Sequence, residues 1–392
     1  FHAESGDYEA AWRELVNNNP MPATMGRVCY HSCETACNRG QLDEAVSIHA
    51  VERFLGDEAV KRGWNVAPGK ETGKRVLVVG SGPAGLSATW HLRLAGHAVT
   101  IHEAGAQSGG MMRFGIPKYR LPREVLDAEV RRIVDMGVEL KLESRVDDLL
   151  ATLQAGKFDA CFLAVGAHIA KRAYIPAGDA NKILDAVSVL RGMEKDEKPL
   201  LGRRVVVYGG GNTAIDVART AKRLGAEESI IVYRRTREKM PAHDFEVEEA
   251  LQEGVQMKWL TTVKEAGEAS LMVEKMALDE NGFPQPTGEF ETIEADSLVL
   301  ALGQDVDLGL LAVVPGLTFE NGSVQVDAGM MTGHPGIFAG GDMVPGERTV
   351  TVAIGHGKKA ARHIDAWLRG EAYAPPPKPE LATFDKLNTW YY

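Results

Sequence analysis

Apolar and polar residues are arranged in two different ways along this chain. Up to residue 65 the pattern is helical. The stretch GDYEAAWRELVNNNP reads as a short helix that Asp7 caps and that Asn17 to Pro20 stop, and DEAVSIHAVERFLGDEAVKRGW reads as another helix. From Lys74 the apolar residues bunch into short unbroken runs. KRVLVVG is such a run ending in glycine, as expected of a central strand in a parallel sheet with both faces covered. HAVTIHEA follows after a helix-length gap, and DACFLAVGA comes further on. The theme then repeats. RRVVVYGGGNTAIDVARTAKRLGA and SIIVYRRT form a second strand–turn–helix–strand unit, about 130 residues after the first, which is one domain each by size. After SLVLALGQ come further strand-like runs, then GIFAGGD and a helix, TVTVAIGHGKKAARHIDAWL. AYAPPPKPE reads as an extended linker, and the aromatic tip Trp390 to Tyr392 as a docked terminus. The pattern predicts an α/β fold with two Rossmann-like dinucleotide-binding domains behind a small helical N-terminal domain.

Bulk properties narrow the partners. A length of 392 residues predicts two or three domains. The net charge of -10 argues against a general nucleic-acid binder. No apolar run approaches the roughly 18 residues a membrane helix needs. Phe1 to Glu9 lacks the basic start and apolar block of a signal peptide. Four cysteines with three clustered make no disulfide framework, so a reducing, cytoplasmic setting is expected.

Three stretches carry candidate chemistry. GSGPAG places Gly80, Gly82 and Gly85 in G-x-G-x-x-G spacing between a strand and a helix, the context in which the motif binds a dinucleotide. Gly80 permits the tight turn, Gly82 lets backbone approach a pyrophosphate, and Gly85 lets the helix pack on the strand. The helix start offers unsatisfied N–H groups to the anion. About twenty residues on, Glu103 ends the second strand, suited to accept hydrogen bonds from a ribose hydroxyl. Gly109 and Gly110 then allow close approach of a large flat ligand. GGGNTA repeats the loop with Gly209, Gly211 and Ala214, and with Asn212 among its binding residues. Here Arg234 and Arg235 stand where the first unit has Glu103. Guanidinium forks suit a 2′-phosphate, which leans to NADP, whereas stacking on adenine or a solvated loop would suit NAD as well.

The third stretch, TMGRVCYHSCETACNRG, holds Cys29, Cys33 and Cys37, with Met25 where a fourth thiol would precede Gly26. Three close thiols suggest a metal or cluster; vestigial thiols, or a zinc site helped by His31, are the alternatives. Cys161, alone in an apolar strand, reads as a core thiol. No residue stands out as a catalytic acid, base or nucleophile. Chemistry carried by a bound dinucleotide needs none, because it belongs to the cofactor.

Near the C-terminus, Gly340-Gly341-Asp342 ends a strand and Thr351-Val352-Ala353 opens a helix. With the first glycine loop this pair resembles the two-dinucleotide-fold flavoproteins and implies FAD. Asp342 would bond ribityl hydroxyls, and the helix start would stabilise negative charge on the reduced ring. The motifs GRVCYHSCETAC, SIHAVERFLGD, GSGPAGLSA, GIPKYRLP, GGGNTAIDVARTA, VYRRTREKMPA and FAGGDMVPGERTV run over nearly the whole chain. In that order they resemble the small-subunit family of NADPH-dependent glutamate synthase. Its relatives include the flavin/NADPH half of dihydropyrimidine dehydrogenase and the larger subunit of NADH-dependent ferredoxin:NADP oxidoreductase.

The resemblance implies an iron–sulfur-type region at 1–65, an FAD domain at 66–168 and 306–372, an NAD(P) domain inserted at 169–305, and a docking tail at 373–392. It also implies electron transfer between NAD(P)H, FAD and iron–sulfur clusters, usually for a larger catalytic subunit. Met25 departs from the family's cysteine, and thioether sulfur is a poor replacement. In relatives a polar residue of the helix that aligns with AVERF completes a cluster; here it is Glu52. The expectation is that Cys29, Cys33 and Glu52 serve one [4Fe–4S] cluster and Cys37 a second, the missing ligands coming from a ferredoxin-like subunit. Electrons could also run the other way, from a 2-oxoacid-oxidising partner such as phenylglyoxylate dehydrogenase to NAD(P)+. A stand-alone NAD(P)H:acceptor reductase and a non-catalytic scaffold are the alternatives.

Overall fold

The computed structural model describes residues 1–171, 173, 175–176, 182–195, 199–311, 313–377 and 383–386. The aromatic tip expected to dock lies outside them. In chain order, four helices come first: α1 (Tyr8–Val16), α2 (Pro22–Val28), α3 (Ser32–Thr35) and α4 (Ile48–Arg62). Then follow β1 (Arg75–Val79), α5 (Pro83–Leu94), β2 (Ala98–His102), α6 (Arg123–Val134), β3 (Glu139–Lys141) and β4 (Ala160–Leu163). The next stretch carries β5 (Lys182–Asp185), β6 (Arg204–Tyr208), α7 (Asn212–Arg223), β7 (Glu228–Val232), α8 (Asp244–Gln252) and β8 (Gln256–Lys258). It continues with β9 (Thr261–Ala266), β10 (Ser270–Leu278), β11 (Pro284–Glu294) and β12 (Ser297–Leu300), before β13 (Ile337–Ala339) and α9 (Val350–Leu368). Two compact units result. The first comprises Phe1–Met112, Arg120–Gly166 and Val306–Tyr392; the second comprises Arg113–Tyr119 and Ala167–Asp305. The N-terminal helices fall within the first unit.

In the first unit, five parallel strands run in the order β13-β4-β1-β2-β3. Val76, Leu77 and Val78 are fully buried, because helices cover both faces of a parallel sheet. The chain steps from β1 to one side through β2 and β3, then to the other through β4 and β13. That reversal opens a crevice at the carboxyl ends of β1 and β4. Helices α5 and α9 cross there at glycine. A Cβ added at Gly357 would lie 2.2 Å from the Ala84 carbonyl oxygen, and the Ser87 hydroxyl donates to the Ile354 carbonyl at 2.8 Å.

The cysteine-bearing helices are seated on this unit by two devices. Glycine lets α2 and α4 touch backbone to backbone. An added Cβ would meet the Arg53 Cα at 2.4 Å from Gly26 and the Ala23 nitrogen at 2.2 Å from Gly56. The second device is a fully buried carboxylate on α6. Glu129 accepts from the N–H groups of Ala23 at 2.9 Å and Thr24 at 2.8 Å, two donors that the first turn of α2 cannot satisfy itself. Burial pushes its pKa up, against the Arg132 guanidinium and these hydrogen bonds.

Asp7 caps α1 as expected, accepting from the Ala10 N–H at 3.1 Å. The next expected helix starts later than its sequence suggests, at Ile48 rather than near Asp43. Asp43 is held in the preceding turn by Arg39 at 2.8 Å, and the Glu34 carboxylate caps α4 by accepting from the His49 N–H at 2.7 Å.

In the second unit a parallel sheet of order β5-β12-β6-β7-β8 is covered differently on its two faces. One face packs on α7 and α8 through Ala214, Ile215, Ala218 and Val247. On the other, Val206, Val232 and Leu298 pack against Val263, Leu271 and Val273 of the antiparallel sheet β9-β10-β11. The Lys118-Tyr119 segment of the GIPKYRLP motif belongs to this unit, where the Arg223 guanidinium lies 4.0 Å from the centre of the Tyr119 ring.

Candidate functional site

The first glycine loop leaves the carboxyl end of β1. Gly80 has φ +102, and an added Cβ would lie 2.4 Å from the carbonyl oxygen of Ala164, just past the end of β4. At Gly85 a Cβ would lie 2.0 Å from the Gly80 carbonyl oxygen. Gly82 is different. Its Cβ would find only the Gly110 Cα, at 3.9 Å, so the space a pyrophosphate needs is open where the start of α5 points. Gly110 has φ +52, and its own Cβ would meet the Gly82 Cα at 2.8 Å. The close approach it permits in this structure is therefore of backbone to backbone. Gly109 holds the same seam through its N–H, which donates to the Ser81 carbonyl at 3.0 Å.

Glu103 faces this loop. One carboxylate oxygen accepts from the Ser81 N–H at 2.9 Å and the Ser81 hydroxyl at 2.6 Å; the other accepts from the Gly105 N–H at 2.8 Å. A carboxylate has about four acceptor positions, so one remains for a ribose hydroxyl. Asp342 sits half-buried in a turn after β13. Its neighbour Gly341 has φ +74 and donates its N–H to the His356 ring at 3.2 Å. His356, one and a half turns into α9, thus positions the Gly-Gly-Asp turn; burial and the nearby Lys359 hold its pKa down. Thr349 is the true cap of α9, its hydroxyl accepting from the Val352 N–H at 3.1 Å. The Ala353 N–H bonds to the Thr349 carbonyl at 3.0 Å. Of the three residues expected to open the helix, Thr351 is the one whose N–H has no acceptor within the helix.

The second loop repeats the geometry at the end of β6. A Cβ added at Gly209 would lie 2.3 Å from the Ala301 carbonyl oxygen, and at Gly211 it would meet nothing within 4 Å. Ala214 is fully buried. The Asn212 side chain accepts from the His243 N–H at 3.1 Å, and the Gly210 carbonyl from the Ala242 N–H at 3.0 Å. These bonds tie the loop to the wall of a cleft of about 640 Å³ lined by Arg237, Met240, His243, Phe245 and Glu248 among others. Arg234 is exposed. Arg235 lies over the Phe283 ring at 5.6 Å, with its Nε buried and lacking a hydrogen-bond partner. Arg237 pairs with Glu248. The two expected arginines therefore stand in different environments. The third arginine of VYRRTRE was legible beside them, whereas nothing in the sequence marks Phe283, which arrives from the β10–β11 hairpin.

The thiols divide. The Cys29 sulfur accepts from the His31 N–H at 3.4 Å and from the Thr351 hydroxyl at 3.6 Å. Partial burial, with Cys29 and Glu34 nearby, pushes the exposed Cys33 thiol up. The Cys37 thiol is held below its ordinary range by backbone N–H groups of Val46, Arg39 and Gly40, the kind of donors that surround cluster thiolates. Glu52 instead accepts from the Asn19 amide at 2.7 Å, and burial raises its pKa. Among the described residues no three His, Cys, Asp or Glu side chains converge on one metal site. His31 sits 3.6 Å from Glu34. Cys161 is buried in β4, and burial pushes its thiol up, as expected of a core cysteine.

The open middle glycines fit two dinucleotides, and the three thiols of this stretch, Cys37 among backbone N–H groups, fit iron–sulfur chemistry in donor type. Among the described residues no helix is long and apolar enough to cross a membrane. Residues 74–357 match the pyridine nucleotide-disulphide oxidoreductase family, and residues 2–64 match dihydropyrimidine dehydrogenase domain II, 4Fe-4S cluster. The chain is 38% identical to the NADP(+)-dependent formate dehydrogenase subunit beta of Moorella thermoacetica, over 99% of this chain but 60% of that one. It is 33% identical to the glutamate synthase [NADPH] small chain of Escherichia coli, over 92% of this chain and 83% of that one. The fold is similar to that of Mycobacterium tuberculosis FprA in complex with NADPH, with TM-score 0.64 and 18% identity over 77% of this chain and 87% of that one. The chain spans about 60% of the length of the first of these relatives. It belongs to the pyridine nucleotide-disulphide oxidoreductase family, as a glutamate synthase small-chain-like member with an N-terminal 4Fe-4S-type domain.

Proposed function

We propose that this chain is the FAD- and NAD(P)(H)-binding subunit of a cytoplasmic electron-transfer complex, working with a ferredoxin-like iron–sulfur subunit and a larger catalytic subunit. The observation that carries the reading is the pair of glycine loops, each closed at its first glycine and open at its middle one. When bound, the cofactors would supply hydride exchange between nicotinamide and flavin and single-electron release to iron–sulfur centres. The protein's share is orientation. Gly82 and the start of α5 receive one pyrophosphate, with Glu103, Asp342 and the Thr351 N–H around it. Gly211 and the start of α7 receive the other, with Arg234 free to meet a 2′-phosphate. The named relatives, a formate dehydrogenase beta subunit and a glutamate synthase small chain, support a subunit role.

Cys29 and Cys33 form the core of one ligand set and Cys37 contributes to another. Glu52 holds Asn19 through one carboxylate oxygen and would ligate through the other. The remaining ligands come from the iron–sulfur subunit. A second reading, a reductase without a cluster relay, is favoured by the absence of three converging donors among the described residues. Purification with neighbouring subunits, flavin analysis and iron counting decide between them. Bound flavin with iron only in the complex is the expected result. A chain without flavin overturns the enzyme reading, and a full iron complement in the isolated chain overturns ligand sharing.

A further inference from the structure

The contact between Cys29 and Thr351 joins two parts of the chain that are 322 residues apart. Each end is held independently. On one side Glu129 bonds the first turn of α2, and the Gly26 and Gly56 contacts lock α2 on α4, so Cys29, the residue that ends α2, has little freedom. On the other side the Thr349 cap, the His356–Gly341 bond and the Gly357 crossing fix the first turn of α9. Thr351 therefore offers two different groups from one residue. Its N–H is an orphan donor at the helix start. Its hydroxyl donates to the cysteine sulfur.

We infer that Thr351 is a positioning residue that couples the flavin site to the centre held by Cys29: its hydroxyl bond to the Cys29 sulfur sets that cysteine against the flavin-facing turn and raises the reduction potential of the centre it ligates. This rests on the electron-relay reading above. A donor to a ligand sulfur stabilises the more negative, reduced form, and hydrogen bonds to sulfur are among the terms that set cluster potentials. When both groups are bound, the electron transfer between them would be their own chemistry. The threonine keeps its proton, and no bond is made or broken there.

Two experiments test the inference. In the cluster-free chain, Thr351→Cys treated with diamide forms a disulfide to Cys29, identified by mass of the linked peptide; failure to cross-link overturns the juxtaposition. In the complex with its iron–sulfur subunit, the midpoint potential is followed by electron paramagnetic resonance. Thr351→Val lowers it and slows reduction of the centre roughly 10-fold, the lower end of what loss of a bond to a metal ligand costs, whereas Thr351→Ser keeps both near wild type. Equal potentials in wild type and Thr351→Val sink the coupling role. A wild-type complex without any iron–sulfur signal sinks the relay reading itself, and a cross-link formed in the same chain keeps the two failures distinct.

Discussion

The two glycine loops begin alike and diverge after the second strand. In both, the first glycine donates its N–H to the residue ending the neighbouring strand, Gly80 to His102 at 2.8 Å and Gly209 to Val232 at 3.1 Å. In both, the middle glycine is open. The third position differs: Gly85 has no room for a methyl group, whereas Ala214 already carries one. Beyond it, the first unit presents a carboxylate engaged with its own loop, and the second presents an exposed guanidinium and a stacked one. In the function proposed above, the shared turn would handle a phosphate through backbone, and the side chains that follow it would decide which nucleotide is bound.

The sharpest break of this symmetry is Gly85→Ala, which makes the first loop read like the second. The added methyl would lie 2.0 Å from a backbone oxygen, so we expect a loss of about 3 kcal/mol, the upper end of ordinary overpacking. Thermal unfolding and retained flavin measure it; a fully stable, yellow variant would contradict the tight third position. Next, Arg234→Ala removes the free guanidinium of the second loop. A charged hydrogen bond contributes about 1.5–3 kcal/mol, so KM for NADPH should rise at least about tenfold while KM for NADH stays put. Steady-state kinetics with both cofactors check this, and an equal rise in both would reassign Arg234 to general binding.

The third contrast is acid sensitivity. The ninth residue of α5 is His91, and that of α7 is Thr220, whose hydroxyl bonds the Asp216 carbonyl. Burial, with Lys358 and Arg362 nearby, pushes the His91 pKa down to about 3. The unfolded chain then binds this proton more readily than the folded one. Stability from the neutral ring is complete above about pH 6.5 and is lost as pH falls from there toward the folded value. One unit below 6.5 the cost is about 1.4 kcal/mol. His91→Gln should flatten the pH dependence of thermal unfolding between pH 6.5 and 5; an unchanged slope would assign the acid sensitivity elsewhere. The smallest effect is that of Ala214→Gly, about 0.5–1 kcal/mol from helix entropy alone, seen as a slight drop in unfolding temperature.

The sequence by itself determined what depends on neighbours a few residues apart. The glycine spacing, the strand runs, the Asp7 cap and the late helix after Gly-Gly-Asp were all legible, because turns and caps are contacts within three or four residues. Thr349 was within reach of the same reasoning, as a threonine just ahead of an apolar helix is a cap signal. Tertiary structure decided the rest. Glu129 reaches Thr24 across 105 residues, and Glu34 resets the start of α4 from 15 residues away. Phe283 comes from a hairpin to cover Arg235, and Thr351 meets Cys29 at the far end of the chain. None of these pairs leaves a periodicity in the sequence. Each exists because the fold brings together residues far apart in the chain. For Glu129, fully buried, the reason is sharpest: out of water, the carboxylate and the α2 N–H groups must find one another or remain unsatisfied.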